Sequence, residues 1–207
     1  MLSNIQISRT LALKNNVSMN SSKQSVSQEA MQKEWEEIQA AQKNAALFRP
    51  LYTRYYEGIF RFIYRRTADE SLSADICSQV FLKAMQKLNS YTFKGVPFSA
   101  WLYRIASNEV TQHFRNTQKN RTVSINDSHI EQMTDEMYTE DQAVLQQAMI
   151  EALDELKETD LALIELRFFE KRPFKEIADI LAITESNAKV KTYRILEKLK
   201  KIIAKKS

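Results

Sequence analysis

The chain is short of the residues that make turns. Its 207 residues include only 2 glycines and 3 prolines. An all-β fold needs many Gly- and Pro-rich turns, so that class is excluded. Helices joined by short polar segments fit instead. There is a single cysteine, Cys77. A lone cysteine forms no internal disulfide, so a reducing cytoplasm is the expected setting. No apolar run reaches the roughly 18 residues of a membrane helix. The opening "MLSNIQISRTLALKNNVSMN" lacks the apolar core and cleavage site of a signal peptide. Also missing are a P-loop, GxGxxG, HExxH and any Cys/His cluster. His113 has no His or Cys at ligand spacing and is expected to face solvent. We therefore expect no catalytic residue, no metal, no cofactor and no small-molecule substrate.

What is present is charge, unevenly spread. The net charge is +4. Residues 1–48 carry +1, residues 49–121 carry +7, residues 122–170 carry −11 and residues 171–207 carry +7. Two basic blocks flank an acidic one. A polyanion touching both basic blocks would explain the pattern, and nucleic acid is the usual candidate. Charged faces that only solvate helices would give the same counts.

Hydrophobic spacing divides the chain. Residues 1–27 are rich in Ser, Asn and Gln without a period and are expected to be disordered. Residues 28–47 predict a marginal helix with a thin stripe of Met31, Trp35, Ile38 and Gln42. Leu51, Tyr55, Ile59, Phe62 and Ile63 make an amphipathic helix. A second helix, with Ser73 expected as its cap, buries Ile76, Cys77, Val80, Phe81, Ala84, Met85 and Leu88. Gly95 and Pro97 interrupt the chain before a third helix that runs to about Lys119. Residues 120–140 hold Asp127, Glu131, Asp135, Glu136 and Glu140 without a period, a linker between two domains. A second helical block follows, with Thr159 expected to cap "DLALIELRFFE". The reading is all-α. It has an extension at 1–46, a domain at 47–121, an acidic linker at 122–145 and a domain at 146–207.

Two stretches carry chemistry. In "EIADILAITESNAKVKTYR", Glu176–Arg194, Phe174, Ile177, Ala178 and Leu181 face inward from a first helix. Ala182-Ile183-Thr184 turns the chain, with Thr184 as N-cap. On the second helix Ala188, Thr192, Ile195 and Leu199 point inward. Asn187, Lys191, Arg194 and Lys198 form a stripe toward solvent, flanked by Ser186 and Lys189. A helix-turn-helix reads bases from the N-terminal part of its second helix and holds phosphates with basic groups around it. A plain helical hairpin with a basic face has the same pattern. In "YTFKGVPFSAWLYRIASNEVTQHFRNTQKNR", Phe98, Leu102, Ile105 and Ala106 look inward. Arg104, Asn108, Thr111 and Arg115 share one polar face. Cations interleaved with aromatics suit single-stranded DNA, whose splayed bases stack on rings. Trp101 and Phe114 are expected in the core rather than as base stackers.

"ADICSQVFLKAM", then "FSAWLYRIASNEV", an acidic segment and "EIADILAITESNAKVKTYRILEKLKK" resemble a bacterial RNA polymerase sigma factor. The resemblance is to the sigma-70 family, extracytoplasmic-function (ECF) type, which has only regions 2 and 4. It covers about residues 47–203. It implies that Asp75, Ser78, Gln79, Leu82 and Lys83 grip the polymerase core, meaning its beta-prime and beta subunits. Leu82 lies off the buried stripe, which suits a partner helix. The family's acidic residue after Gln is absent at Ser78-Gln79. The resemblance further implies that Phe93, Lys94, Arg104, Asn108, Thr111 and Arg115 capture and open the minus-ten promoter element. Gln112 stands where the family often has Asp. Ser186, Asn187, Lys189, Lys191 and Arg194 would read the minus-thirty-five element. The acidic linker would thread the polymerase channels built for RNA. Many such proteins are held inactive by an anti-sigma factor, which adds a candidate partner. The alternative is a helix-turn-helix regulator that binds duplex DNA without polymerase.

Overall fold

The computed structural model describes residues 27–117, Met133 and residues 142–206. No strand occurs among them. Helix α1 spans Gln28–Lys43 and is capped by Ser27, whose hydroxyl accepts from the Ala30 amide. Expected to be marginal, α1 instead buries Glu34, Ile38 and Ala41 against the N-terminal half. Its thin stripe is too weak for a free helix, and tertiary packing supplies the rest. Asn44 ends α1 and its side chain opens a short 3-10 turn, Ala45–Phe48.

Helix α2, Arg49–Thr67, has Pro50 in its first turn, where a missing N–H costs nothing. It buries Leu51, Ile59, Phe62 and Ile63, and also Arg66. Helix α3, Glu70–Lys87, is capped by Asp69, which accepts from the Leu72 amide at 3.0 Å. Ser73, expected in that role, is buried one turn further on and donates back to the Asp69 carbonyl. Met85 also departs from expectation. It is 44% exposed and off the buried stripe of Ile76, Cys77, Val80, Phe81 and Ala84. Helix α4, Phe98–Thr117, follows a loop in which Gly95 takes φ +70°, a conformation glycine adopts without strain.

The C-terminal half comprises α5 (Gln142–Asp154), α6 (Glu158–Ile164), α7 (Phe174–Leu181) and α8 (Glu185–Lys206). Thr159 does not cap α6; it lies inside the first turn, and Lys157 occupies the cap position without a side-chain bond. A π-helical turn, Glu165–Phe169, continues α6 and closes with the Glu170 amide on the Glu165 carbonyl. Such insertions re-aim side chains, and this one presents Glu165 and Glu170 to the other half. The turn after α7 is as expected. Ala182 is left-handed at φ 54°, the Ile183 amide reaches the Ala178 carbonyl, and Thr184 accepts from the Asn187 amide at 3.2 Å. Of the linker at 122–145, residues 122–132 and 134–141, including Asp127, Glu131, Asp135, Glu136 and Glu140, lie outside the described residues. Met133 within it is buried.

The halves pack against each other. Helix α4 lies along α7. Arg66 is fully buried where the halves meet, its Nε donating to Glu165 at 2.6 Å and its Nη1 to Glu158 at 2.8 Å. Burial pushes the Glu165 carboxyl above its usual range, and the guanidinium of Arg66 opposes that. Arg65 pairs with Glu170, which also accepts from the Tyr103 hydroxyl. Arg172 lies 4.6 Å over the Tyr103 ring and donates to Ser99.

Candidate nucleic-acid and polymerase interfaces

Helix α8 sorts its residues as its period requires. Ala188, Thr192, Ile195 and Leu199 are buried, and Thr192 satisfies its hydroxyl on the Ala188 carbonyl at 2.9 Å. Ser186, Asn187, Lys189 and Arg194 are exposed, while Lys191 is half-buried. Lys189 pairs with Glu185 one turn back, at 2.7 Å, and sits over the Phe174 ring. Val190 and Tyr193, 44% and 47% exposed, complete this face and do not stand out in the sequence. Their spacing from Ser186 and Asn187 is the available signal. An exposed Val among polar groups suits contact with a thymine methyl. On α7, Leu181 is half-buried against the core as expected of an inward residue, and Ile180 is buried as well.

Helix α4 brings Asn108, Thr111 and Arg115 together on one exposed face. Arg104 does not join them in the open. It is half-buried and bonded to Asp179 of α7, through both the carbonyl and the carboxylate. In the loop before α4, Lys94 is exposed, whereas Phe93 is half-buried and stacked on Trp35 with centroids 6.3 Å apart. Trp101 packs on Tyr91 and Phe98, and Phe114 packs against the core, as expected of core residues. His113 is half-buried with its ring edge-to-face on Phe114 rather than free in solvent.

Helix α3 presents Asp75, Ser78, Gln79 and Leu82 together, all exposed. Lys83 is half-buried and held by Glu109 of α4 at 2.6 Å. Leu82 is 48% exposed, and Met85, one turn on, extends the same apolar strip. A row of rings on α2 (Tyr52, Tyr56, Phe60 and Tyr64) runs at four-residue spacing with neighbouring centroids 5.3–6.1 Å apart. Tyr52 meets Phe81 of α3 edge-on, which joins the row to the α3 surface. Cys77 beneath it is fully buried, and burial pushes its thiol up to about 12. No described group of His, Cys, Asp and Glu has the geometry of a metal site. No described helix is long and apolar enough to cross a membrane.

Known proteins share this organisation. The family profile for Sigma-70 region 2 matches residues 51–120, and that for Sigma-70 region 4 matches residues 152–201. The ECF RNA polymerase sigma factor BldN of Streptomyces coelicolor is 26% identical over 172 residues, covering 81% of this chain and 64% of BldN. The chain thus spans under two thirds of that relative. RNA polymerase sigma factor YlaC of Bacillus subtilis is 29% identical, covering 75% of this chain and 91% of YlaC. Among solved structures, the sigma factor RpoE of Bartonella quintana, in complex with the anti-sigma factor NepR, superposes with a TM-score of 0.53. It has 17% identity, over 76% of this chain and 96% of that one, and the likeness speaks for the fold. With region 2 matching the half that bears α3 and α4, and region 4 the half that bears the helix-turn-helix, the chain belongs to the sigma-70 family of RNA polymerase sigma factors and is of the ECF type.

Proposed function

We propose that the chain binds the RNA polymerase core and directs it to promoters, in the cytoplasm and without catalysis of its own. The polymerase grip is the α3 face of Asp75, Ser78, Gln79 and Leu82, with Lys83 and Met85 at its edge. Minus-ten capture belongs to the loop bearing Phe93 and Lys94 and to Asn108, Thr111 and Arg115 on α4. Arg104 joins them once it leaves Asp179. Minus-thirty-five reading belongs to Ser186, Asn187, Lys189, Lys191 and Arg194, with Val190 and Tyr193 added. The domains at 47–121 and 146–207 divide this labour, and the acidic segment between them threads the polymerase. An anti-sigma factor is a candidate partner, since a relative of the same fold is found with one.

The observation that carries the reading is the second polar face. Asn108, Thr111 and Arg115 stand exposed on α4 beside a basic-aromatic loop, in a chain that already has a capped helix-turn-helix. A duplex-binding regulator needs only the latter. The test is transcription in vitro with purified core polymerase. Promoter-specific initiation that depends on this chain is expected. Specific duplex binding by the free chain, with no effect on core, would overturn it.

A further inference from the structure

Helix α4 begins without a local cap. The residues before Phe98 are Val96 and Pro97, and neither offers a side-chain acceptor to the orphan amides of a first helical turn. The acceptor comes from 64 residues away. Glu34 of α1 takes the Phe98 amide on its Oε2 at 3.0 Å. Its Oε1 accepts from the Tyr55 hydroxyl and lies 3.5 Å from Arg54. The Glu34 side chain is only 8% exposed, an unusual place for a carboxylate unless it is bonded throughout. A negative charge there also complements the α4 dipole.

The same helix holds the rest of the loop. Gln42 donates to the carbonyls of Leu88 and Tyr91, at 2.9 and 3.0 Å. Trp35 stacks on Phe93 and packs against Tyr91. Loop 91–97 is therefore gripped at its entry, middle and exit by α1, while Thr92 and Lys94 remain exposed. Gly95, at φ +70°, lies in the open stretch between the α1 contacts at Phe93 and Phe98.

We propose that Glu34 is a positioning residue for base capture: it sets the start of α4 and, with Gln42 and Trp35, the shape of loop 91–97, without touching nucleic acid. This rests on the minus-ten assignment above. A loop that must trap a splayed base loses affinity when it has to be ordered at the moment of binding.

The full chain, assembled with core polymerase, tests this. The probe is a single-stranded oligonucleotide carrying the minus-ten segment of a promoter that the wild-type holoenzyme transcribes. Glu34→Ala is expected to lower affinity for it about tenfold, the equivalent of ~1.4 kcal/mol, and to leave affinity for core within about twofold. Glu34→Gln, whose amide oxygen still accepts from Phe98, should recover part of the loss. Gln42→Ala, at the other end of the loop, should reduce the same affinity several-fold even if Glu34→Ala folds poorly. Unchanged oligonucleotide binding in Glu34→Ala and Gln42→Ala would overturn the proposal. So would parallel loss of core and oligonucleotide binding in Glu34→Gln. A wild-type chain that fails to start transcription with core would sink the functional reading itself, a result distinct from variants that match an active wild type.

Discussion

Arg66 shows how one side chain joins the two halves. It rises from α2 into the closed interface, its guanidinium 4.7 Å over the Phe62 ring and bonded to Glu165 and Glu158. A guanidinium stays charged in proteins, and the carboxyls of Glu165 and Glu158 both face it. Breaking such a pair costs more than replacing it, because the survivor is left buried and unpaired. Arg66→Met alone should destabilise the protein by about 3–5 kcal/mol, while Arg66→Met with Glu165→Leu should recover most of the loss. Urea denaturation of the single and double variants measures both. A single variant costing under ~1 kcal/mol would mean that the pair is solvated in the free protein. None of this is legible in the sequence. The α2 stripe of Leu51, Ile59, Phe62 and Ile63 follows from its spacing. Arg66 continues that stripe at the right interval, but its charge argues for solvent until its partners are known.

Among the elements, α8 follows its sequence most closely. Periodicity settles which face is buried, since only one side of a helix can meet α7. The inward set of Ala188, Thr192, Ile195 and Leu199 and the Thr184 cap are therefore as expected. The phosphate-holding role proposed for this helix has a measurable signature. Lys191→Ala with Arg194→Ala should weaken upstream-duplex binding by the holoenzyme. It should also reduce the slope of log affinity against log salt by roughly one to two, about 0.9 for each phosphate no longer neutralised. An unchanged slope would remove both residues from the DNA face. Helix α1 is the opposite case. Its stripe alone looks marginal, and its worth comes from a partner distant in sequence. Its most consequential residue, Glu34, is a charge that no hydrophobic pattern would select. Caps are mixed for a similar reason. Asp69 and Ser73 both precede plausible helix starts, and the choice between them rests on where the chain turns after Ala68.

The molecule as a whole is closed. Arg104 is held by Asp179, and α4 lies along α7, so the proposed minus-ten surface is partly covered by the half that would read minus-thirty-five. Those elements are about 25 base pairs apart, or about 85 Å at ~3.4 Å per step. The halves must therefore separate to reach both. Residues 118–141 could reach about 80 Å at most, so the widths of the two halves must cover the remainder of that separation. Dyes on Ser71 and Lys198, an exposed position in each half, should report a large fall in energy transfer when core polymerase and promoter bind. Unchanged transfer would mean that only one half engages the promoter.

The sequence by itself determined that the chain is helical, which faces of α2, α3 (Met85 apart) and α8 are buried, and which family it resembles. Those depend on turn-former content, on a period of 3.6 and on short motifs, all local properties. Only the tertiary structure decided that α1 belongs to the N-terminal half and that Glu34 caps α4 across 64 residues. It also decided that Arg66 is buried and that Arg104 is engaged by Asp179. Each of these is a polar group whose environment is built by residues far along the chain. A charged side chain has no preferred depth until its partner is in place, so its burial follows from packing and not from pattern.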